Sequence, residues 1–182
     1  TYLDQLSAHP PQSSWSRNER LAYWINVYNA FTVKLIVDNY PTSSITKLEG
    51  GKPWNKRWIP IGEKTYTLDE IENSIIRPRF KDARIHVAVN CASVSCPELL
   101  NRAFTASKLT QQLESQTRAY INNPRHNSIS ASAPQVSQLF EWYAVDFEQK
   151  GTLIDFLNGY SATPIQANAT IGFKPYNWNL NE

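Results

Sequence analysis

Methionine is missing from this sequence, and cysteine, histidine and glycine are scarce, at 2, 3 and 6 of 182 residues. We have no physical account of the missing methionine. Two cysteines cannot build a disulfide scaffold, and a chain of this length needs none, since it can bury roughly two thirds of its unfolded surface. Two Cys and one His within the stretch His86 to Cys96 fall short of a zinc ligand set, so no metal site is expected. No cofactor is expected either. An uninterrupted apolar run is also lacking. The longest, Leu21 to Val37, is broken by Asn26, Asn29 and Lys34, whereas a membrane span needs about 20 mostly apolar residues. Nor does one sign of charge dominate: 18 basic residues face 16 acidic ones, a net charge of +2. The only basic cluster, Lys52 to Arg57 with Trp54 and Trp58, reads as a solvated loop with anchored rings, so no nucleic-acid partner is expected. No signal peptide is visible. The chain starts at Thr1 without Met, which leads us to expect an exported protein, periplasmic or extracellular, trimmed upstream.

What the sequence does hold is aromatic side chains, with 6 Trp, 9 Tyr and 7 Phe. Such rings fill cores and line polar-rimmed clefts. Ser16-Arg17-Asn18-Glu19 is a capping box, predicting a helix to about Tyr40, before Pro41. That helix is apolar nearly all round and should lie inside the fold. Arg57 to Ile61 and Lys64 to Thr67 predict a hairpin across Gly62-Glu63. Thr67 can cap a helix through Arg77. Arg84 to Asn90 predicts a central strand, and Pro97 the start of a short helix. Thr105 to Asn122 predicts an amphipathic helix. A short hairpin (128–131 with 135–137), helices over 138–150 and 152–160, and a last strand over 170–175 complete the expectation. The expected fold class is α+β, a single domain over residues 1–182, with helices, one of them long and buried, packed around a small sheet.

The chemistry concentrates in His86-Val-Ala-Val-Asn-Cys-Ala-Ser-Val-Ser-Cys-Pro97. A strand leading into a short loop and a helix start would hold a thiol among free backbone N–H groups, which favour a thiolate and an oxyanion. Three readings of Cys91 and Cys96 stay open. One is a nucleophile activated by His86. The second is a disulfide across the loop. The third is a pair of buried small side chains. Strand alternation places His86, Ala88 and Asn90 on one face and starts Cys91 on the other, an objection to the Cys–His pair. Asn26 and Asn29 share a helix face. Their amides either orient catalytic groups and bind a polar ligand, or tie the helix to a neighbouring backbone. Glu72 could pair with a base or sit in a local ion pair. Asn90, Ser93, Ser95 and Cys96 from the loop, with Trp142 and Tyr143, complete the candidate binding residues.

Glu19-Arg-Leu-Ala-Tyr-Trp-Ile-Asn-Val-Tyr-Asn-Ala30, Leu68-Asp-Glu-Ile-Glu72, Arg84 to Pro97, Phe140-Glu-Trp-Tyr-Ala-Val-Asp-Phe147 and Tyr176-Asn-Trp-Asn-Leu-Asn181 resemble, in order, the motifs of the family called domain of unknown function 547. The resemblance runs from about Glu19 to Asn181. It implies a bacterial exported protein, the plant members being attached to leucine-zipper segments, and it carries no settled activity. Members usually keep a Cys at the Cys91 position, while plant-type members often have Ser at the Cys96 position, which favours Cys91 for chemistry. Members often have Glu followed by His where this chain has Glu72-Asn73; were that imidazole catalytic, this protein would be impaired or would use His86 instead.

Two functions are therefore expected as alternatives. The first is a cysteine-dependent hydrolase or acyltransferase with Cys91 as nucleophile, His86 as base, Glu72 or Asn26 orienting, and backbone N–H groups of Ser93 to Cys96 as oxyanion hole. The second is a non-catalytic ligand- or protein-binding domain, or a thiol–disulfide protein using Cys91 and Cys96. The partner in either case would be a small molecule or peptide. No oligomeric state is implied.

Overall fold

The structure, a computed structural model, describes residues 1–181. Its backbone is set by helix caps. Thr1 caps helix α1, Tyr2–Ala8, and Ser16 starts α2, Arg17–Asp38. The Ser16 hydroxyl accepts from Glu19 N at 3.2 Å, and the Glu19 carboxylate accepts from Ser16 N at 2.7 Å. Two otherwise orphaned backbone donors are thereby satisfied, as the sequence predicted. Leu21, Trp24, Ile25, Tyr28, Phe31 and Leu35 bury α2 along most of its circumference. One edge, carrying Val33 and Val37, stays exposed, so α2 is less enclosed than its apolar sequence suggested.

Strands β1, Ile59–Ile61, and β2, Lys64–Tyr66, form the predicted antiparallel hairpin. Gly62 turns it at φ +57°, a conformation that side-chain-bearing residues rarely adopt. Thr67 then caps a helix. Its hydroxyl accepts from Glu70 N at 2.9 Å while the Glu70 carboxylate accepts from Thr67 N at 3.0 Å. The helix over Glu70–Ile76 has π geometry, and α3, Arg77–Phe80, continues it.

The strand predicted over 84–90 is not there. Ala83–Val87 is a short 3₁₀ helix, capped by the Asp82 side chain on Arg84 N. A short apolar run reads equally as a buried strand or a buried helical turn. Here Ile85 packs into the cluster around α2 and Val87 into a second cluster, so both sides are buried without a sheet. The helix expected from Pro97 is also absent. Side chains take the segment's carbonyls instead: Asn90 donates to Pro97 O and Gln116 to Glu98 O.

Helix α4 spans Leu109–Ile121. Strand β3, Gln135–Ser137, pairs in parallel with β4, Gly172–Lys174. The predicted 128–137 hairpin reduces to one bridge between Ser128 and Gln135, because Asn127 Oδ1 takes Ser137 N and β4 takes the rest of β3. Short helices α5, Leu139–Trp142, α6, Ala144–Phe147, and α7, Leu153–Asn158, follow. The class is α+β as expected, but the small sheet is two separate two-stranded ladders. No helix among the described residues is long and apolar enough to cross a membrane.

Candidate functional site

A cleft of about 360 Å³ opens where the two hydrophobic clusters meet. Tyr28 from α2, Glu72 from the π-helical segment, His86 from the 3₁₀ turn, Cys91 and Cys96 from the loop, and Trp142 and Tyr143 at the end of α5 all line it. Trp54, Tyr176 and Trp178 supply further rings. π-helical turns recur at functional sites because the extra residue re-aims side chains. Here the turn carries Glu72, only 6% exposed, into the cleft wall, where its Oε1 accepts from the Tyr143 hydroxyl at 2.9 Å. Burial, with the Glu72 carboxylate beside it, pushes the Tyr143 hydroxyl pKa well up, so it stays a donor.

His86 is 1% exposed. Its Nε2 lies 2.7 Å from Asp146 Oδ2, and its ring stacks on Tyr143 at 3.8 Å. Arg77 Nε donates to the same Asp146 oxygen at 2.6 Å. The His86 hydrogen bond first, and the Arg77 guanidinium with it, hold the Asp146 carboxyl well below the usual range, against the opposing push of burial. An ionised carboxylate only accepts, so His86 Nε2 carries the proton. In the neutral ring the lone pair then falls on the other nitrogen, Nδ1, which is buried with no hydrogen-bond partner.

Cys91 and Cys96 are joined as a disulfide. Cys91 is half-buried and Cys96 is buried. Cys91 Sγ lies 3.3 Å from both Ser93 Oγ and Tyr176 Oη. Cys96 Sγ accepts from Cys91 N at 2.9 Å and from the Tyr176 hydroxyl at 3.3 Å. Because His86 Nδ1 is unpartnered, no hydrogen bond joins imidazole and sulfur in this oxidised state. The cross-link closes a short loop of sequence separation 5. Reduction should therefore cost only about 2 kcal/mol in the chain-entropy picture. The check is a melting curve with and without a phosphine reductant, where a loss of most of the stability would contradict it.

The remaining sequence candidates lie elsewhere. Asn26 clamps Phe104, donating to its O and accepting from its N, both at 2.9 Å. Asn29 clamps the loop by donating to Ala88 O and accepting from Asn90 N, both at 2.8 Å. Both amides border a separate groove along α2 rather than the cleft. Asn90 bridges Pro97 O and Ala92 N within the loop, and Ser95 Oγ accepts from Asn177 N. Ser93 is buried against the Cys91 sulfur.

Three of the four amides of the backbone oxyanion hole expected at Ser93 to Cys96 are committed elsewhere. Val94 N donates to Asn179 O, Ser95 N to Asn177 O, and Cys96 N to Ser93 O. The local cause is the missing helix start: without it, no row of free N–H groups faces the cleft. The sequence reading also missed Asp146, Arg77, Trp54 and Tyr176. Asp146 and Tyr176 do sit inside motifs that were already singled out, at Phe140 to Phe147 and Tyr176 to Asn181.

Among the described residues, no group of three or more His, Cys, Asp or Glu converges to hold a metal ion. A family model described as "Protein of unknown function, DUF547" matches residues 12–121, more than half of the chain. The match takes in Glu72, His86, Cys91 and Cys96, while Asp146 and the rings from 142 onward lie beyond it. Comparison with curated proteins returns no match, and neither does comparison with solved structures.

Proposed function

The chain belongs to the DUF547 family, whose description names no activity, and we propose from its geometry that it is a cysteine-dependent hydrolase or acyltransferase held oxidised at rest. One observation carries this reading: His86 is fixed by Asp146 through Nε2, leaving an unpaired Nδ1 at the wall of the cleft that holds Cys91. The arrangement has the orienting-acid, base and nucleophile order of acyl-transfer sites.

Activation begins with a small thiol reductant. Its thiolate attacks Cys91 Sγ, the more accessible sulfur, and the S–S bond breaks. Cys96 leaves as a thiolate that already accepts from Cys91 N and the Tyr176 hydroxyl. A second reductant thiolate then frees Cys91 as the reductant's own disulfide forms. Protonated from solvent in the resting reduced state, Cys91 gives that proton to His86 Nδ1, and the thiolate attacks an acyl carbon. Collapse of the tetrahedral adduct expels the leaving group with the proton from Nδ1, giving a thioester. Water, deprotonated at Nδ1, hydrolyses it, or an acceptor amine takes its place. With three of the four loop amides committed, the oxyanion donor would be the Tyr176 hydroxyl, its single proton turned from Cys96 Sγ to the oxyanion. Burial pushes the hydroxyl pKa up to about 12, which keeps the proton on at neutral pH. An exported location would keep the disulfide formed until a reductant arrives.

A second reading, thiol–disulfide exchange without acyl chemistry, is favoured by the same two donors on Cys96 Sγ. Iodoacetamide labelling of the reduced protein across pH 5 to 9, read by mass spectrometry, separates the two. A Cys91 activated by His86 should label roughly tenfold faster than a free thiol at pH 6, and His86→Gln should remove the excess. Cys91 labelling at the free-thiol rate throughout, in wild type, would sink the enzyme reading.

A further inference from the structure

The groove along α2, away from the cleft, is lined by apolar side chains that the fold leaves in water. It encloses about 480 Å³ between Val33 and Val37 of α2, Tyr2 of α1, and Leu99 and Leu100 of the irregular segment after Pro97. Tyr2, Val33, Val37 and Leu99 are all exposed, Val37 at 67%. Single exposed apolar side chains are ordinary, but several gathered along one concave face mark a binding surface.

The polar groups of this groove that have no partner are all donors. Lys34 and Asp38 pair with each other at 2.7 Å, and Asn26 and Asn29 are committed to backbone groups. Arg102 remains. A guanidinium is a permanent cation. Among the described residues it meets no carboxylate, and its one contact is Asn101 Oδ1 at 3.4 Å. Beside it, the backbone N–H groups of Leu99, Leu100, Arg102 and Ala103 donate to no acceptor among the described residues. Side chains of Asn90, Gln116 and Gln112 hold this segment by its carbonyls, at Pro97, Glu98 and Ala103, so neither helix nor strand uses its donors. Such N–H groups need an acceptor from water or a ligand. One cation and free N–H donors at an apolar trough complement a chain that is apolar along its length and anionic at one end. A partner helix would leave those donors to water, because its carbonyls are bonded internally except in the last turn.

We infer that this groove binds an aliphatic carboxylate, a fatty-acid-like chain lying along Val33 and Val37 with its carboxylate on Arg102 and the neighbouring N–H groups. The site is separate from the cleft and stands whether or not Cys91 reacts. The test is titration of the oxidised protein with decanoate, followed by calorimetry and by the amide NMR shifts of Leu99 to Phe104. The comparison probes are 1-decanol, decyltrimethylammonium and hexanoate.

Decanoate should bind about tenfold more tightly than 1-decanol, the difference being the charge-assisted contacts. Shortening the chain to hexanoate should weaken binding by roughly tenfold or more, since each methylene removed from the groove returns to water. Arg102→Gln, at an exposed position, should remove the preference over decanol and leave the melting temperature unchanged. Val33→Gln together with Val37→Gln, both exposed and both keeping a helix former, should weaken decanoate and decanol alike. Equal wild-type affinity for decanoate and decanol, preference for the ammonium, or shifts that spare Leu99 to Phe104 would each overturn the inference. Dimerisation that covers the groove and excludes decanoate would assign this face to a second copy of the chain and overturn it too.

Discussion

Asp146→Asn is expected to slow alkylation of Cys91 in the reduced protein to about the free-thiol rate, a loss of roughly tenfold at pH 6, with the fold retained. The substitution is isosteric, but an amide can present its NH₂ to His86 Nε2. The ring then moves its proton to Nδ1, and the lone pair that would accept the Cys91 proton is lost. The Arg77 guanidinium also loses its ion-pair partner at 2.6 Å, a partly buried contact whose removal should cost about 1–3 kcal/mol. The readout is the pH–rate profile, because a purely structural role would lower the melting temperature without changing the profile's shape. An unchanged rate in a folded Asp146→Asn protein would leave the imidazole without a catalytic task.

The same residue sets an acid limit on wild-type stability. Asp146 is depressed in the folded state, chiefly by the His86 hydrogen bond and then by Arg77. Its contribution is therefore complete above its unfolded pKa of about 3.9, and it is lost as pH falls from there toward the folded value. Asp146→Asn should flatten that part of the acid limb.

What the sequence revealed divides by range. The α2 cap is a contact of three residues' separation, Ser16 with Glu19, and local spacing shows it directly. The β1–β2 turn is equally local. The cleft draws Glu72, His86, Cys91, Cys96, Trp142 and Tyr143 from separate motifs, and each could be picked by residue type. Their partners could not. Asp146 lies 60 residues from His86, and Tyr176 lies 85 from Cys91, distances over which no periodicity speaks. The segment 84–90 misled for a physical reason: a run buried on both sides satisfies a central strand and a packed 3₁₀ turn alike. Once it is a turn, strand alternation no longer sets His86 and Cys91 on opposite faces. The objection drawn from it lapses.

Asn29→Ala is expected to cost about 3 kcal/mol and to loosen the loop that carries the two cysteines. Asn29 is buried, and one amide satisfies two backbone groups of that loop, Ala88 O and Asn90 N. Alanine leaves both buried and unpaired, where neither water nor a neighbouring donor replaces the lost bonds. The loop then loses its tie to α2 at the point where the chain leaves the 3₁₀ turn for Cys91. Asn26 makes the same kind of bracket on Phe104, but it is only partly buried, so Asn26→Ala should cost about half as much because water can reach the freed groups. Urea unfolding of the two variants tests the ranking, and faster amide exchange at Asn90 tests the mechanism. Were Asn29→Ala as stable as wild type, the amide would not be the strut on which the cysteine loop rests, and a ligand-facing role for it would have to be reopened.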